Sequence, residues 1–174
     1  MDRVKGIFMT GRFIAKMIDF SAGHRVDVCH FLKVYAYAKT IGELEGLNEA
    51  KRTTLELTAI VHDIACPVCR EKYASTDGKL QERESEAVLR PFLEEFDLPP
   101  QLRERIIFLV CHHHSYEGVD GIDWRILLEA DYLVNADESR YSSEQIRRAE
   151  ETVFETATGK RLLRSLFPEA FTIK

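Results

Sequence analysis

The chain has 174 residues, of which 45% are hydrophobic, and its 24 basic and 29 acidic side chains leave a formal charge of −5. This size and composition suit one globular domain over residues 1–174 with a sizeable core, and they leave little room for a second. The negative balance speaks against a dedicated nucleic-acid binder, whose footprint is a basic face, so no stable nucleic-acid complex is expected. No run approaches the roughly 18 apolar residues of a membrane span, and no apolar segment with a small-residue cleavage site opens the chain. A soluble, cytoplasmic protein without membrane contact is the resulting expectation, with its four cysteines as reduced thiols. A small anionic substrate in a local basic pocket stays compatible with this charge. The sequence carries no signal for an oligomeric state.

In chain order, residues 11–20 place Phe13, Met17 and Phe20 at helical spacing and predict a short amphipathic helix lying across the core as a lid. Ser21, Ala22 and Gly23 break that pattern. A longer helix over about residues 25–41 then puts Val26, His30, Val34, Tyr37 and Ile41 on one face. His30 thus sits within an apolar stripe, where a histidine is either a satisfied core residue or a ligand. Gly42, Gly46 and Asn48 mark a turn, and a helix from about residue 49 carries Leu55 and Ala59 into His62 and Asp63. Positions three and four apart lie above one another, so an apolar ridge runs into a histidine and a carboxylate. Burying that pair requires a partner for each group, and a divalent cation suits a neutral imidazole and a carboxylate at once. A helix end meeting water is the alternative.

Residues 66–78 look irregular, with Pro67, Ser75, Thr76, Asp77 and Gly78 supplying loop chemistry and Arg70, Lys72 and Lys79 supplying positive charge. A tight turn leaving the helix at Pro67 is expected. Cys66 and Cys69 have redox-motif spacing, yet they lack both the second pair of a structural zinc site and the preceding strand of a thioredoxin-like fold. A cationic loop next to His62 and Asp63 is a candidate seat for the anionic part of a substrate. The helix predicted over residues 81–96 carries Glu82, Glu84, Glu86, Glu94 and Glu95, mostly as a solvated face.

Asp97, Leu98 and Pro99 end that helix and Pro100 opens the next, in which Leu102, Ile106, Leu109, Val110 and His113 share a stripe. His114 lies at the edge of the stripe and His112 turns away, which ranks His113 as the most inward of the three. After a loop over 115–120, residues 123–134 are apolar nearly all round and predict a central helix. Asp131 shares a face with Leu127, Ala130 and Val134, so it needs a partner, either an arginine or a cation. Amphipathic helices over about 142–156 and 160–167 close the bundle. No stretch alternates like a strand, so the expected fold is an all-α, single-domain helical bundle.

His30, the adjacent His62 and Asp63, and Asp131, all on helices and in this order, resemble the framework of the HD superfamily of metal-dependent phosphohydrolases, named for its His-Asp pair. The contexts Ile60-Val61-His62-Asp63-Ile64 and Glu129-Ala130-Asp131 are similar to those usual in that family. The resemblance covers about residues 25–138 and implies a bundle with a buried metal centre, in which His30, His62, Asp63 and Asp131 bind one ion. His113 and His114 resemble the extra ligands of dinuclear members. Those members commonly have a histidine in the helix after the His-Asp loop, where this chain reads Gln81-Glu82-Arg83-Glu84. Glu82 or Glu84 is the candidate replacement, the alternative being an incomplete second site. Many members also place a catalytic lysine or glutamate three residues after the aspartate of the pair, and here that residue is Cys66.

The mixed nitrogen and oxygen donors suit iron, manganese, zinc, cobalt or nickel rather than calcium, as one ion or two. What the resemblance implies is hydrolysis of a small phosphoester, nucleotide-like in character. His62 and Asp63 then form the catalytic centre, with Asp63 bridging two ions, and Arg70, Lys72 or Lys33 pairs with the phosphate. Two other readings stay open, a non-catalytic metal- or nucleotide-binding sensing module and a di-iron oxygenase-like enzyme.

Overall fold

The helices are delimited by side chains that satisfy their free ends. Asn48 accepts the N–H of Lys51 at 3.0 Å, Asp77 that of Lys79 at 3.0 Å and Thr156 that of Gly159 at 2.9 Å, each opening a helix. Ser142 and Gln145 form a reciprocal capping box. A computed structural model describes residues 2–172, with side chains from residue 9 onward, so the expected limits at 1 and 174 fall outside the described residues. The elements are α1 (Asp2–Phe20), α2 (Arg25–Leu44), α3 (Glu49–Val61), α4 (Cys66–Tyr73), α5 (Gly78–Glu94), α6 (Pro100–His112), α7 (Ile122–Glu138), α8 (Ser143–Thr152) and α9 (Ala157–Leu166). No strand occurs among the described residues, and the all-helical expectation holds. No described helix is long and apolar enough to cross a membrane.

Several boundaries differ from the sequence expectation, two of them for clear physical reasons. α1 starts well before residue 11, because Gly11 is exposed with open space around it and one glycine weakens a helix without ending it. Residues 66–73, expected as loop, form α4. Pro67 lies in its first turn, where the missing N–H has no intrahelical partner to lose, so the proline starts a helix instead of leaving one. Ala74 ends α4 in the left-handed region at φ 52°, its N–H donating to the Arg70 carbonyl.

α3 is enclosed by α1, α2, α6 and α7. Its Leu55 and Ala59 join Val34, Leu109 and Leu127 in one apolar cluster, while Leu57, Ile60 and Val61 join Phe13, Met17, Leu89 and Phe92 in another. Beyond its first turn a helix with apolar partners on both sides keeps little polar surface, and it contains two buried threonines. Thr54 and Thr58 resolve this by donating their hydroxyls to the carbonyls of Ala50 and Thr54, at 3.0 and 2.7 Å. α1 acts as the expected lid, with Phe13 and Met17 fully buried and the Phe13 ring packed against Phe92 and Phe96. α7 is buried along most of its length, as its composition predicts.

One buried carboxylate of α7 serves the fold. Glu129 accepts the backbone N–H groups of Glu155 and Thr156 at 2.7 and 2.9 Å, together with the Thr156 hydroxyl, and so ties down the start of α9. A Cβ on Gly159 would lie 2.1 Å from Glu129 Oε2, so only glycine fits there. Glu129→Ala strands buried donors, and Gly159→Ala forces the carboxylate aside. Each is expected to cost roughly 2–3 kcal/mol. The check is the thermal midpoint, which should fall by more than about 5 °C in both variants. A midpoint within about 1 °C of the parent protein's would remove this role.

Candidate metal centre

His62 terminates α3 and His113 terminates α6, and the two ends solve the same local problem in the same way. The last carbonyls of a helix lack intrahelical donors. His62 Nδ1–H donates to the Ala59 carbonyl at 2.9 Å, and His113 Nδ1–H donates to the Val110 carbonyl at 2.7 Å. A carbonyl only accepts, so both protons lie on Nδ1 and both Nε2 atoms present lone pairs. His30, on the second turn of α2, has its Nδ1 2.9 Å from Glu138 Oε2 of α7. An ionised carboxylate likewise only accepts, so His30 Nε2 is free to face inward.

These nitrogens converge on two carboxylates. His30 Nε2 lies 3.2 Å from His62 Nε2, 3.2 Å from Asp131 Oδ1 and 3.6 Å from Asp63 Oδ2. His62 Nε2 lies 3.5 Å from Asp131 Oδ1 and 3.7 Å from Asp63 Oδ2. The other oxygen of Asp63 serves a second group, with Oδ1 2.9 Å from His113 Nε2 and 3.8 Å from His114 Nε2. Asn135 donates to Asp131 Oδ1 at 2.9 Å and orients it. His62 and His113 are buried, which discards the helix end open to water.

The donor set fits a divalent cation. Two carboxylates, the Nε2 lone pairs of three imidazoles and the Nε2 of His114 occupy one enclosed volume, at the negative ends of two helix dipoles. His114 Nε2 is itself a buried nitrogen with no hydrogen-bond partner among the described residues. Two trios, His30 with His62 and Asp63, and Asp63 with His113 and His114, each gather their ligand atoms within 4.8 Å, with Asp63 common to both. Each of His30, His62 and His113 is also oriented by an acceptor on its far side, the arrangement that fixes metal-binding imidazoles.

Without a cation, protons supply the missing charge. Burial opposes protonation of His30, but the Asp131, Asp63 and Glu138 carboxylates outweigh it and raise its pKa to about 9. Burial would raise Asp63 and Asp131, yet the surrounding histidines hold both below the usual carboxylate range. His114 is the exception. Burial and the neighbouring His113 bring it down to about 4, so it stays neutral and available.

The remaining residues singled out in the sequence lie as follows. His112 turns its Nδ1–H onto the Phe108 carbonyl and stacks on the Phe108 ring, away from the centre as its helical phase predicts. Glu82 accepts from the backbone N–H of His114 at 3.2 Å and from the Ser115 hydroxyl at 3.0 Å. Glu84 binds Lys72 at 2.6 Å and Tyr73 at 2.7 Å and belongs to no ligand trio. Arg70 is held by both oxygens of Asp27, and Lys33 lies 3.0 Å from Glu138 Oε1 beside His30. Sequence reasoning missed Glu138 and Asn135. Their spacing from Asp131, seven and four residues respectively on one helical face, was the available signal.

The profile of the HD domain matches residues 28–148, well over half of the chain. The chain belongs to the HD superfamily of metal-dependent phosphohydrolases. Neither the curated proteins nor the solved structures give a match. The adjacent His62 and Asp63 within the matched residues stand at the end of α3, and the divalent metals that HD domains bind have a candidate cluster of donors there.

Two outcomes follow. His62→Ala and Asp63→Ala are expected to lose bound metal and the thermal stabilisation it provides. In a dinuclear centre His113→Ala should lower the count from about two ions to one, because His30, His62, Asp63 and Asp131 remain, whereas a mononuclear centre keeps its one ion; His112→Ala should leave the count unchanged. Elemental analysis with parallel melts checks this, and stoichiometric metal in the first two variants would contradict the site. The second outcome concerns pH. The ion and the proton compete for His30 Nε2, so metal affinity should rise with pH up to about 9 by about tenfold per unit for each proton displaced. The metal-free protein should show the opposite trend in stability, because a raised histidine pKa stabilises it below about 6.5 and that contribution fades as pH passes about 9. Metal titrations and melts at pH 6, 7.5 and 9 test both signs.

Proposed function

We propose that the protein is a metal-dependent phosphohydrolase acting on a small, nucleotide-like phosphoester. The observation that carries this reading is the enclosed set of acceptors centred on Asp63, whose Oδ2 faces His30 and His62 while Oδ1 faces His113 and His114. His30, His62, Asp63 and Asp131 would hold one ion, and Asp63, His113 and His114 a second. A bound divalent transition metal supplies Lewis acidity, polarising a phosphoryl oxygen and bringing the pKa of water from about 15.7 towards about 7.

The chain's own residues supply the rest. His62 and His113 keep their Nδ1 protons on backbone carbonyls, so they hold charge in place without shuttling protons. Arg70 is the leading phosphate contact, since it lies within electrostatic reach of Asp63 and Asp27 fixes its guanidinium. Lys33, steadied by Glu138 at the outer edge of His30, is the second candidate. Lys72 is the weakest, because its bond to Glu84 draws it towards α5. Tyr116, 48% exposed on the loop after α6 and within electrostatic reach of Asp131, offers a ring for a base to stack on.

One observation favours the sensing-module alternative. The Cys66 thiol is buried, donates to Gln81 Oε1 at 3.2 Å and has its pKa pushed far up by burial and by Asp63, so it stays protonated. It therefore cannot replace the lysine or glutamate that acts at this position in many relatives.

Phosphate release from a panel of nucleotides and simple phosphoesters, with manganese, iron, cobalt, nickel or zinc supplied in turn, decides between the two. Stoichiometric metal and tight nucleotide binding with no release would support the sensing module, and oxygen-dependent turnover would identify oxidative chemistry. Within the hydrolase reading, Arg70→Ala should raise KM about tenfold or more with metal content unchanged, the loss of one charge-assisted bond. Lys72→Ala should leave both unaltered. Unchanged kinetics in the Arg70 variant would remove the arginine from the substrate site.

A further inference from the structure

The two histidines after α6 reach Asp63 by different means. His113 is anchored to its own helix through Val110. His114 has no such bond, and its Nε2 is buried and unpartnered 3.8 Å from Asp63 Oδ1. Its position is set by the first turn of α5. A Cβ on Gly78 would lie 2.5 Å from His114 Cγ, 2.7 Å from Cδ2 and 2.9 Å from Cβ, so the imidazole rests directly on the bare backbone of that residue. Four residues on, and hence on the same face of α5, Glu82 Oε1 accepts the His114 backbone N–H and the Ser115 hydroxyl. Asp77 caps the helix at this point and fixes where Gly78 lies.

Conformation does not call for glycine at position 78. The residue is helical, it is absent from the glycines with positive φ, and glycine weakens a helix relative to alanine. Close approach of the ring is what requires it. The role of Glu82 is equally specific, since both groups it accepts belong to the turn that carries His114, and it belongs to neither ligand trio.

We propose that Gly78 and Glu82 are positioning residues that seat His114 as the third donor of the second ion position, beside Asp63 and His113. This inference rests on the two-ion reading above. It assigns Glu82 the task of holding a ligand rather than of being one. The donors of the first position do not depend on α5, because His30, His62, Asp63 and Asp131 lie on or next to α2, α3 and α7.

Two measurements test it. In metal-free protein, modification of histidines by diethyl pyrocarbonate, mapped by mass spectrometry, reads the seat itself. In protein titrated with cobalt(II), ion count and the visible absorption bands read the second position. Gly78→Ala and Glu82→Ala are expected to increase labelling of His114 severalfold, leave His113 protected and reduce bound cobalt from two ions to one. Glu82→Gln keeps an accepting oxygen and is expected to restore both parental labelling and the second ion. Should Gly78→Ala fail to fold, the Glu82 pair decides alone. If Glu82→Gln loses the second ion as Glu82→Ala does while His114 stays protected, Glu82 is itself a ligand and the proposal fails. Unchanged His114 labelling in the alanine variants also overturns it. A parent protein that binds one ion while the labelling difference persists would overturn the two-ion reading and support the seat.

Discussion

Three imidazoles at the centre of this bundle have already committed their Nδ1 protons elsewhere, His62 and His113 to carbonyls of their own helices and His30 to Glu138. What they direct inward are lone pairs, and what they meet are the carboxylates of Asp63 and Asp131. Acceptors facing acceptors in an enclosed volume repel, and the cost of keeping such charges from water amounts to several kcal/mol per ion. Positive charge has to enter, as protons or as metal. The direction of the shifts expresses that demand, since the carboxylates raise the pKa of His30 and His113 against burial while the histidines lower those of both carboxylates. Without a metal ion the centre thus depends on bound protons for its positive charge, and the surrounding helices hold its donors in place.

That rigidity begins with α3. A helix packed on both sides cannot shift without disturbing two apolar clusters, so its C-terminal residues His62 and Asp63 arrive at a fixed place. The hydroxyls of Thr54 and Thr58, turned back onto their own helix, allow this burial without stranded polar groups. α7 supplies the second constraint. Asp131, Asn135 and Glu138 occupy one of its faces, so a single helix delivers one carboxylate to the centre, an amide to orient it and a second carboxylate to orient His30. Glu129, on the other side of α7, fastens α9 beneath it.

How much of this was legible in the sequence follows from how local each signal is. Helical phase is a local property, and it correctly turned His113 inward and His112 outward, and it put His30 and Asp131 within apolar stripes. The helices themselves were legible for the same reason, except where punctuation is ambiguous. Pro67 is compatible with a helix that ends and with one that begins, and only the buried placement of Cys66 and Cys69, three apart, favours the second. Ion pairing is not local. Arg70 and Asp27 are 43 residues apart, and His30 and Glu138 are 108 apart. A cation read from the sequence as free for substrate therefore proved to have a carboxylate partner in each of Arg70, Lys72 and Lys33.

The same reasoning recasts the acidic start of α5. Glu82 and Glu84 were attractive as ligands because carboxylates are plausible substitutes for a missing histidine, but they are two residues apart and must point to different sides of a helix. One faces the turn of His114 and the other faces α4, where Lys72 and Tyr73 take up both of its oxygens. Glu84 thereby joins α5 to the short helix that follows the His-Asp pair, while Glu82 joins it to the turn that follows α6. The two proposed ion positions are consequently supported unequally. The donors of the first are braced by α2, α3 and α7 in the core, whereas His114 leans on the opening turn of α5, which Glu82 fastens to the turn after α6 and Gln81 fastens to Cys66.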